Sequence, residues 1–289
     1  MFSSALLAHT RNLDLVIRHV LAGLGHGIHA GVERGAGVEF SEYRAYAPGD
    51  EWRRVDWKLL ARADRYYVRE AERDSHVAVW LVLDATASMA EPSRSIDGLD
   101  KLAFARAVLA CIGAIAQRQG DAFGLVVLSD GRTDFIPAAR GPRQLHRILA
   151  QLERAQAAGV LPDAAALRSA LHFSRSPSVI VAASDFLDWP SPLSEALLRL
   201  RHMRHDVRAL LLQTQAECDA DFASGAAFRD PEGEGMFGFD KVAYATARDA
   251  HFDAVRAESR RHDVPMLAAR IEQAPAEVLR ALLRQAGRR

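Results

Sequence analysis

Hydrophobic and polar positions divide the chain into a short helical lead, a charged middle segment and a long alternating region. Residues 4 to 24 carry apolar side chains at helical spacing, from Leu6 and Leu7 through Val16, Ile17, Val20 and Leu21 to Leu24, and predict an amphipathic helix ended by Gly23 and Gly25. From residue 77 the period changes. Val77–Leu83 (VAVWLVL), Phe123–Ser129 (FGLVVLS), Ser178–Ser184 (SVIVAAS) and 207–215 (VRALLLQTQ) are short apolar runs. They suit strands buried on both faces, as in a parallel sheet. Between them lie helical patterns at 97–119, 141–158, 163–173, 191–204 and 247–262, then a strand at 265–270 and a final helix from Pro275. Asp130-Gly131 predicts a tight turn into a further strand, RTDFIPAA. Strand–helix alternation of this kind predicts an α/β fold. Residues 216–240 are polar and rich in Asp and Gly, with room for one hairpin.

The intervening stretch differs from both. Residues 25–37 are glycine-rich but lack a strand-to-helix GxGxxG or a GK[ST], so a phosphate cradle has little support. His26 and His29 lie in this loop, where solvated side chains are the ordinary outcome. Residues 38–74 mix acids and bases in near balance with Phe40, Tyr43, Tyr46, Trp52, Trp57, Tyr66 and Tyr67. A folded collar, held by Arg–carboxylate pairs, fits this mixture better than a solvated charge run. Arg53, Asp56, Trp57 and Arg62 are its expected structural residues. The expected division is therefore 1–75, helix and collar packed on the main domain, and 76–289, the α/β domain.

Composition narrows the function classes. The 289 residues are 49% hydrophobic and carry a formal net charge of zero. This leaves ample material for a core and gives no electrostatic case for bulk nucleic-acid or membrane-surface binding. The carboxylates of the collar would also repel phosphates, against a single-stranded nucleic-acid site. Cys111 and Cys218 have no CxxC spacing, so neither a zinc site nor a disulfide framework is expected. Cys111 falls in an apolar helical pattern, as a small buried hydrophobe. No apolar run reaches membrane-spanning length, and the N-terminus lacks a signal-type cleavage end; the expectation is a cytoplasmic protein. No HExxH or GxSxG is present.

The chemistry concentrates where the first apolar strand ends. Asp84, Thr86 and Ser88 follow it at spacing two, DATAS. Three hard oxygens on a loop at the C-terminal end of a central strand can converge where open α/β sheets bind ligands, and they suit a magnesium-type cation. Equally, Asp84 can cap the following helix while the hydroxyls tie up loop amides. A second apolar strand, SVIVAAS, also ends in an acid, Asp185.

This arrangement resembles the von Willebrand factor A fold, whose metal-ion-dependent adhesion site uses a DxSxS motif with a downstream Thr and Asp. The segment before it is more distinctive. Glu39-Phe40, Arg44, Tyr46, Pro48-Gly49-Asp50, Arg53, Asp56-Trp57, Ala61-Arg62 and Glu70, followed by a strand and Asp84-Ala-Thr86-Ala-Ser88-Met89, with Lys101 beyond, are similar to the signature of the domain of unknown function 58 family. The resemblance spans roughly residues 25–215. It implies a von Willebrand factor A-like (Rossmannoid), mostly parallel sheet flanked by helices, preceded by the N-terminal helix and collar. It also implies no catalytic activity, a bacterial adaptor or chaperone role, and as partner a MoxR-type AAA+ ATPase. The implied ligand set for Mg2+ is Asp84, Thr86, Ser88 and Asp185.

Two positions depart from the adhesion-site pattern. Thr86 stands where a Ser is usual. The loop expected to supply the downstream Thr, Gly159–Leu171 (GVLPDAAALRSAL), offers only Asp163 near that place. Asp163 is either a substitute oxygen donor or the cap of the helix it precedes, the cap being the commoner role; in that case the site is degenerate. The competing reading is a metal-dependent hydrolase or phosphatase with Asp84 as nucleophile. Against it, position 86 is not acidic, and Lys101 is expected well inside a helix, away from the strand end.

Overall fold

A computed structural model describes residues 12–25, 42–45, 67–70, 77–171, 177–222, 227–229, 236–238 and 240–285. The collar residues Arg53, Asp56, Trp57 and Arg62, and His26 and His29, lie outside them. The chain forms two compact units, residues 29–76 and residues 1–28 with 77–289. In the smaller unit, β1 (Glu42–Ala45) and β2 (Tyr67–Glu70) form an antiparallel pair, Glu42 opposite Glu70 and Ala45 opposite Tyr67.

The larger unit is built on β3 (Ala78–Asp84), β4 (Phe123–Ser129), β5 (Arg132–Ala139), β6 (Ser178–Ser184), β7 (Asp206–Gln213) and β10 (Met266–Arg270). Their order in the sheet is β10-β7-β6-β3-β4-β5, parallel throughout except for the antiparallel edge strand β5. The predicted Asp130-Gly131 turn makes that reversal; both residues have positive φ, 49° and 68°, as a two-residue hairpin requires. The helices are α1 (Leu13–Gly25), α2 (Lys101–Gln119), α3 (Pro142–Arg154), α4 (Ala164–Ala170), α5 (Pro192–His202), α6 (Gln215–Asp219), α7 (Lys241–Arg261) and α8 (Pro275–Gln285). The hairpin strands β8 (Ala227–Arg229) and β9 (Met236–Gly238) pair antiparallel within the polar connection.

Period-two alternation sends the strand residues to opposite faces. Leu81, Leu83, Leu125 and Val127 pack with α1, α2, α3 and α8. Trp80, Val82, Val126 and Leu128 pack with α4, α5 and α7. Both faces of β3 are covered, so its sequence is apolar without a break. Thirteen positions of α2 are buried, Cys111 among them, because α1, α3 and α8 cover the side away from the sheet. This is the expected α/β architecture, a mostly parallel six-stranded sheet flanked by helices.

Differences from the sequence reading lie mainly at element ends. α2 starts at Lys101, four residues later than its pattern suggested, because the Asp100 carboxylate caps it by accepting from Ala103 N–H at 2.6 Å. α7 starts at Lys241, six residues early, with Asp240 as cap; its mostly exposed surface left no apolar stripe to mark its first turns. α1 belongs to the larger unit, where Leu13, Val16, Ile17, Val20 and Leu21 join the core beside α2. The smaller unit ends at residue 76. No helix among the described residues is long and apolar enough to cross a membrane.

Candidate functional site

β3 is the central strand, and its last residue, Asp84, leaves the sheet beside β6. The parallel register pairs Leu83 with Ala183, so the next residues, Asp84 and Ser184, come side by side. The Ser184 hydroxyl donates to Asp84 Oδ2 at 2.6 Å. The other carboxylate oxygen, Oδ1, accepts from Thr86 N–H at 3.0 Å and from the Thr86 hydroxyl at 2.8 Å. Thr86 Oγ1 lies 3.2 Å from Ser88 Oγ, at the start of a single 3₁₀ turn, Ala87–Ala90. Asp84 does not cap the turn that follows, whose N-cap is Thr86 with no side-chain cap bond. Asp84 instead closes a local turn of the Asx kind on Thr86, whose hydroxyl lies between the Asp84 carboxylate and the Ser88 hydroxyl.

The oxygens open on a cavity of about 270 Å³ lined by Asp84, Thr86, Ser88, Ser184, Asp185, Asp188 and Ser191 on the polar side. Leu161, Phe186, Leu187 and Leu193 supply apolar walls. The adjoining loop is fixed by backbone bonds: Ala87 N–H donates to Gly159 O at 2.9 Å, and Ala158 N–H to Ala85 O at 3.0 Å. Gly159 has φ 58°, and a Cβ there would come within 2.7 Å of Asp130 Cα, so only glycine fits. After β6, Phe186 takes φ 49°, a costly conformation for a bulky residue. It is held by Ser184 Oγ, which accepts from its N–H at 2.9 Å, and by His251, whose Nε2 lies 2.9 Å from its carbonyl oxygen.

Asp185 faces a partner that sequence spacing did not disclose. Lys101, 1% exposed, places its ammonium 3.1 Å from Asp185 Oδ2 and 2.6 Å from Glu217 Oε1. The expectation that Lys101 lies well inside a helix, away from the strand end, is therefore corrected. It is the first residue of α2, and the late helix start directs its side chain to β6. The far oxygen of Glu217, Oε2, accepts from Thr214 N–H at 2.6 Å and from the Thr214 hydroxyl at 3.1 Å, the capping box of α6. Burial pulls the ammonium down, but the carboxylates of Asp185 and Glu217 outweigh it and hold it above the usual lysine range. Glu91, nearby, is pushed up by burial and by Glu217.

Asp84 is 3% exposed. Burial, and then the negative charge of Asp185, push its carboxyl up to about 7, against the hydrogen bonds from Ser184 and Thr86. Two buried acids at one strand-end site leave a deficit of positive charge. Asp84, Thr86 and Ser88, with Asp185 direct or through water, form an all-oxygen donor set of the hardness that suits a magnesium-type ion. Among the described residues no group of three or more His, Cys, Asp and Glu is arranged to hold a metal, so such a centre would depend on the two hydroxyls. Asp163 is not among the residues lining the cavity. Its Oδ1 accepts from Ala165 and Ala166 N–H at 2.9 and 2.7 Å, capping α4. The residues that sequence reasoning passed over are Ser184 and Glu217. The only signal for Ser184 was a hydroxyl directly before a strand-end acid.

The family described as "Protein of unknown function DUF58" matches residues 42–262. The uncharacterized protein Rv1480 of Mycobacterium tuberculosis (strain ATCC 25618 / H37Rv) is 30% identical over 280 residues, 93% of this chain and 86% of its own length. The uncharacterized protein Mb1516 of Mycobacterium bovis matches equally well. Among solved structures, the conserved hypothetical protein BatB of Bacteroides thetaiotaomicron is 14% identical over 73% of this chain and 98% of its own, with a TM-score of 0.45. The SpRpn10 VWA domain is 11% identical over 72% of this chain and 94% of its own, with a TM-score of 0.42.

Proposed function

This chain belongs to the DUF58 family, and from that premise we propose that it is a non-enzymatic protein-interaction domain that docks a partner's carboxylate through a divalent cation. Asp84, Thr86 and Ser88 would hold Mg2+, with Asp185 direct or through water, and the partner's Asp or Glu would complete the coordination. The partner we propose is a MoxR-type AAA+ ATPase, for which this chain acts as adaptor or chaperone.

One observation carries the reading. The hydroxyl of Thr86 lies 2.8 Å from the Asp84 carboxylate and 3.2 Å from the Ser88 hydroxyl, and all three residues line one cavity together with Asp185. When bound, the ion supplies a Lewis-acidic position for an incoming carboxylate. The chain's own residues do the rest: the bonds from Thr86 and Ser184 orient Asp84, the loop at 158–160 is held by backbone bonds, and Leu161 and Leu187 give the cavity apolar sides. The hydrolase reading gains no support from this geometry. Lys101 is near, but its ammonium is shared between two carboxylates and does not line the cavity, so it has no free charge for a phosphate.

The test is a pull-down with a purified MoxR-type AAA+ ATPase, in magnesium and in EDTA, using wild type and Asp84→Ala. Retention in magnesium, with loss in EDTA and in a folded Asp84→Ala, is the expected result. Equal retention in EDTA overturns the metal-dependent reading.

A further inference from the structure

We propose that Lys101 is an internal counter-cation that competes with the divalent ion for Asp185 and so sets the affinity of the site. The proposal rests on the reading of that site given above and assigns its tuning residue.

The position of Lys101 is costly on two counts. It is 1% exposed, so its ammonium has left water, and it is the first residue of α2, where the positive end of the helix dipole disfavours a cation. Among the described residues its direct ion-pair partners are the carboxylates of Asp185 and Glu217, and a buried pair of this kind seldom stabilises a fold better than apolar residues would. A purely structural role is therefore a poor account of it. What the ammonium does is occupy one oxygen of Asp185, Oδ2 at 3.1 Å. Among the described residues the other, Oδ1, keeps only a long bond from Leu187 N–H at 3.4 Å, and Asp185 lines the cavity. An ion at Asp84 must therefore share Asp185 with a positive charge already seated on it.

Glu217 sets how tightly Lys101 holds Asp185. Its Oε1 lies 2.6 Å from the ammonium, nearer than Asp185, and its Oε2 is anchored on Thr214 at the start of α6. It draws the lysine away from Asp185. The two neighbours of the ammonium thus act in opposite senses on the site: removing Lys101 frees Asp185, while removing the charge of Glu217 commits Lys101 to it. A site held weak in this way gains its ion together with the partner's carboxylate, so that metal loading and docking are coupled.

The experiment is calorimetric titration of the full chain with MgCl2, comparing wild type, Lys101→Met and Glu217→Gln, with thermal melts to confirm folding. Lys101→Met is expected to bind Mg2+ more tightly by about tenfold or more, the scale on which one adjacent charge shifts an ionic equilibrium, while melting at a lower temperature. Glu217→Gln, which keeps a capping-box side chain, is expected to bind more weakly than wild type. A folded Lys101→Met with equal or weaker affinity overturns the proposal. Should Lys101→Met not fold, Glu217→Gln decides, and affinity equal to or above wild type overturns it. Wild type silent while Lys101→Met binds supports the competition and overturns metal-dependent docking by the wild-type chain. Silence in every protein overturns both.

Discussion

The hydroxyl of Ser184 donates to Oδ2 of Asp84 at 2.6 Å across two neighbouring parallel strands. Residues a hundred positions apart are thereby locked at the C-terminal edge of the sheet. Ser184 in turn accepts from Phe186 N–H, so the same oxygen orients the acid of one strand end and the loop leaving the other. Ser184→Ala is expected to destabilise the protein by about 1–3 kcal/mol, the cost of leaving a buried charged acceptor without its donor. The loss should be larger at pH 8 than at pH 5, since the bond favours the ionised acid. Denaturant melts at the two pH values check this; equal stability of variant and wild type at pH 8 would refute it.

The raised carboxyl of Asp84 gives the metal-free protein a pH dependence of defined sign. Its folded value of about 7 lies above the ordinary 3.8. Between these limits the native state holds a proton that the unfolded chain has released, so stability falls as pH rises through that window. The penalty is fully present above pH 7 and relieved towards pH 4. Asp84→Asn is expected to remove this contribution, so that its melting temperature gains on wild type as pH is raised from 5 to 8 in EDTA. A constant difference across that range would show that Asp84 does not titrate there.

Magnesium should act in the opposite direction. A cation requires the ionised form of Asp84 and displaces its proton. The stabilisation produced by Mg2+ in a thermal melt is expected to grow between pH 6 and pH 8, and to be absent in Asp84→Asn. Stabilisation independent of pH would place the ion elsewhere.

Asp163 separates cap from ligand. Its carboxylate receives two N–H groups of α4, so Asp163→Ala is expected to cost about 0.5–2 kcal/mol while leaving the Mg2+ affinity unchanged. Calorimetric titration and chemical denaturation of the one variant settle both halves. Loss of magnesium binding with normal stability would restore Asp163 as a ligand.

Gly124 tests the packing beneath the site. A Cβ there would fall 2.4 Å from the Trp80 ring and 2.8 Å from Ile136 O, where β4 and β5 shift register. Because Trp80 also stacks on Phe135, with ring centroids 5.4 Å apart, the ring has little freedom to retreat. Gly124→Ala is expected to destabilise by about 1–3 kcal/mol, read as a lower denaturation midpoint. A midpoint equal to that of wild type would show that the ring yields.

The local part of this protein was legible in the chain. Strands buried on both faces must be apolar without interruption, so VAVWLVL, FGLVVLS and SVIVAAS announced themselves. Acids that end such strands lie at the edge where α/β sheets bind, so Asp84 and Asp185 could be picked out together with Thr86 and Ser88. Asp163, too, stood where a helix cap belongs. What the chain could not disclose was pairing across the sheet and between layers. Ser184 meets Asp84 only because β6 lies beside β3 in one particular register. Lys101 reaches Asp185 and Glu217 only because Asp100 delays the start of α2 and turns the lysine inward. Helical spacing marks a face of the helix, but a charged side chain in its first turn gives no sign of whether it will meet water or two buried carboxylates. That choice belongs to the packing of α2 against the ends of β6 and β7, and it decides whether the acids at the candidate site stand alone or already share a cation.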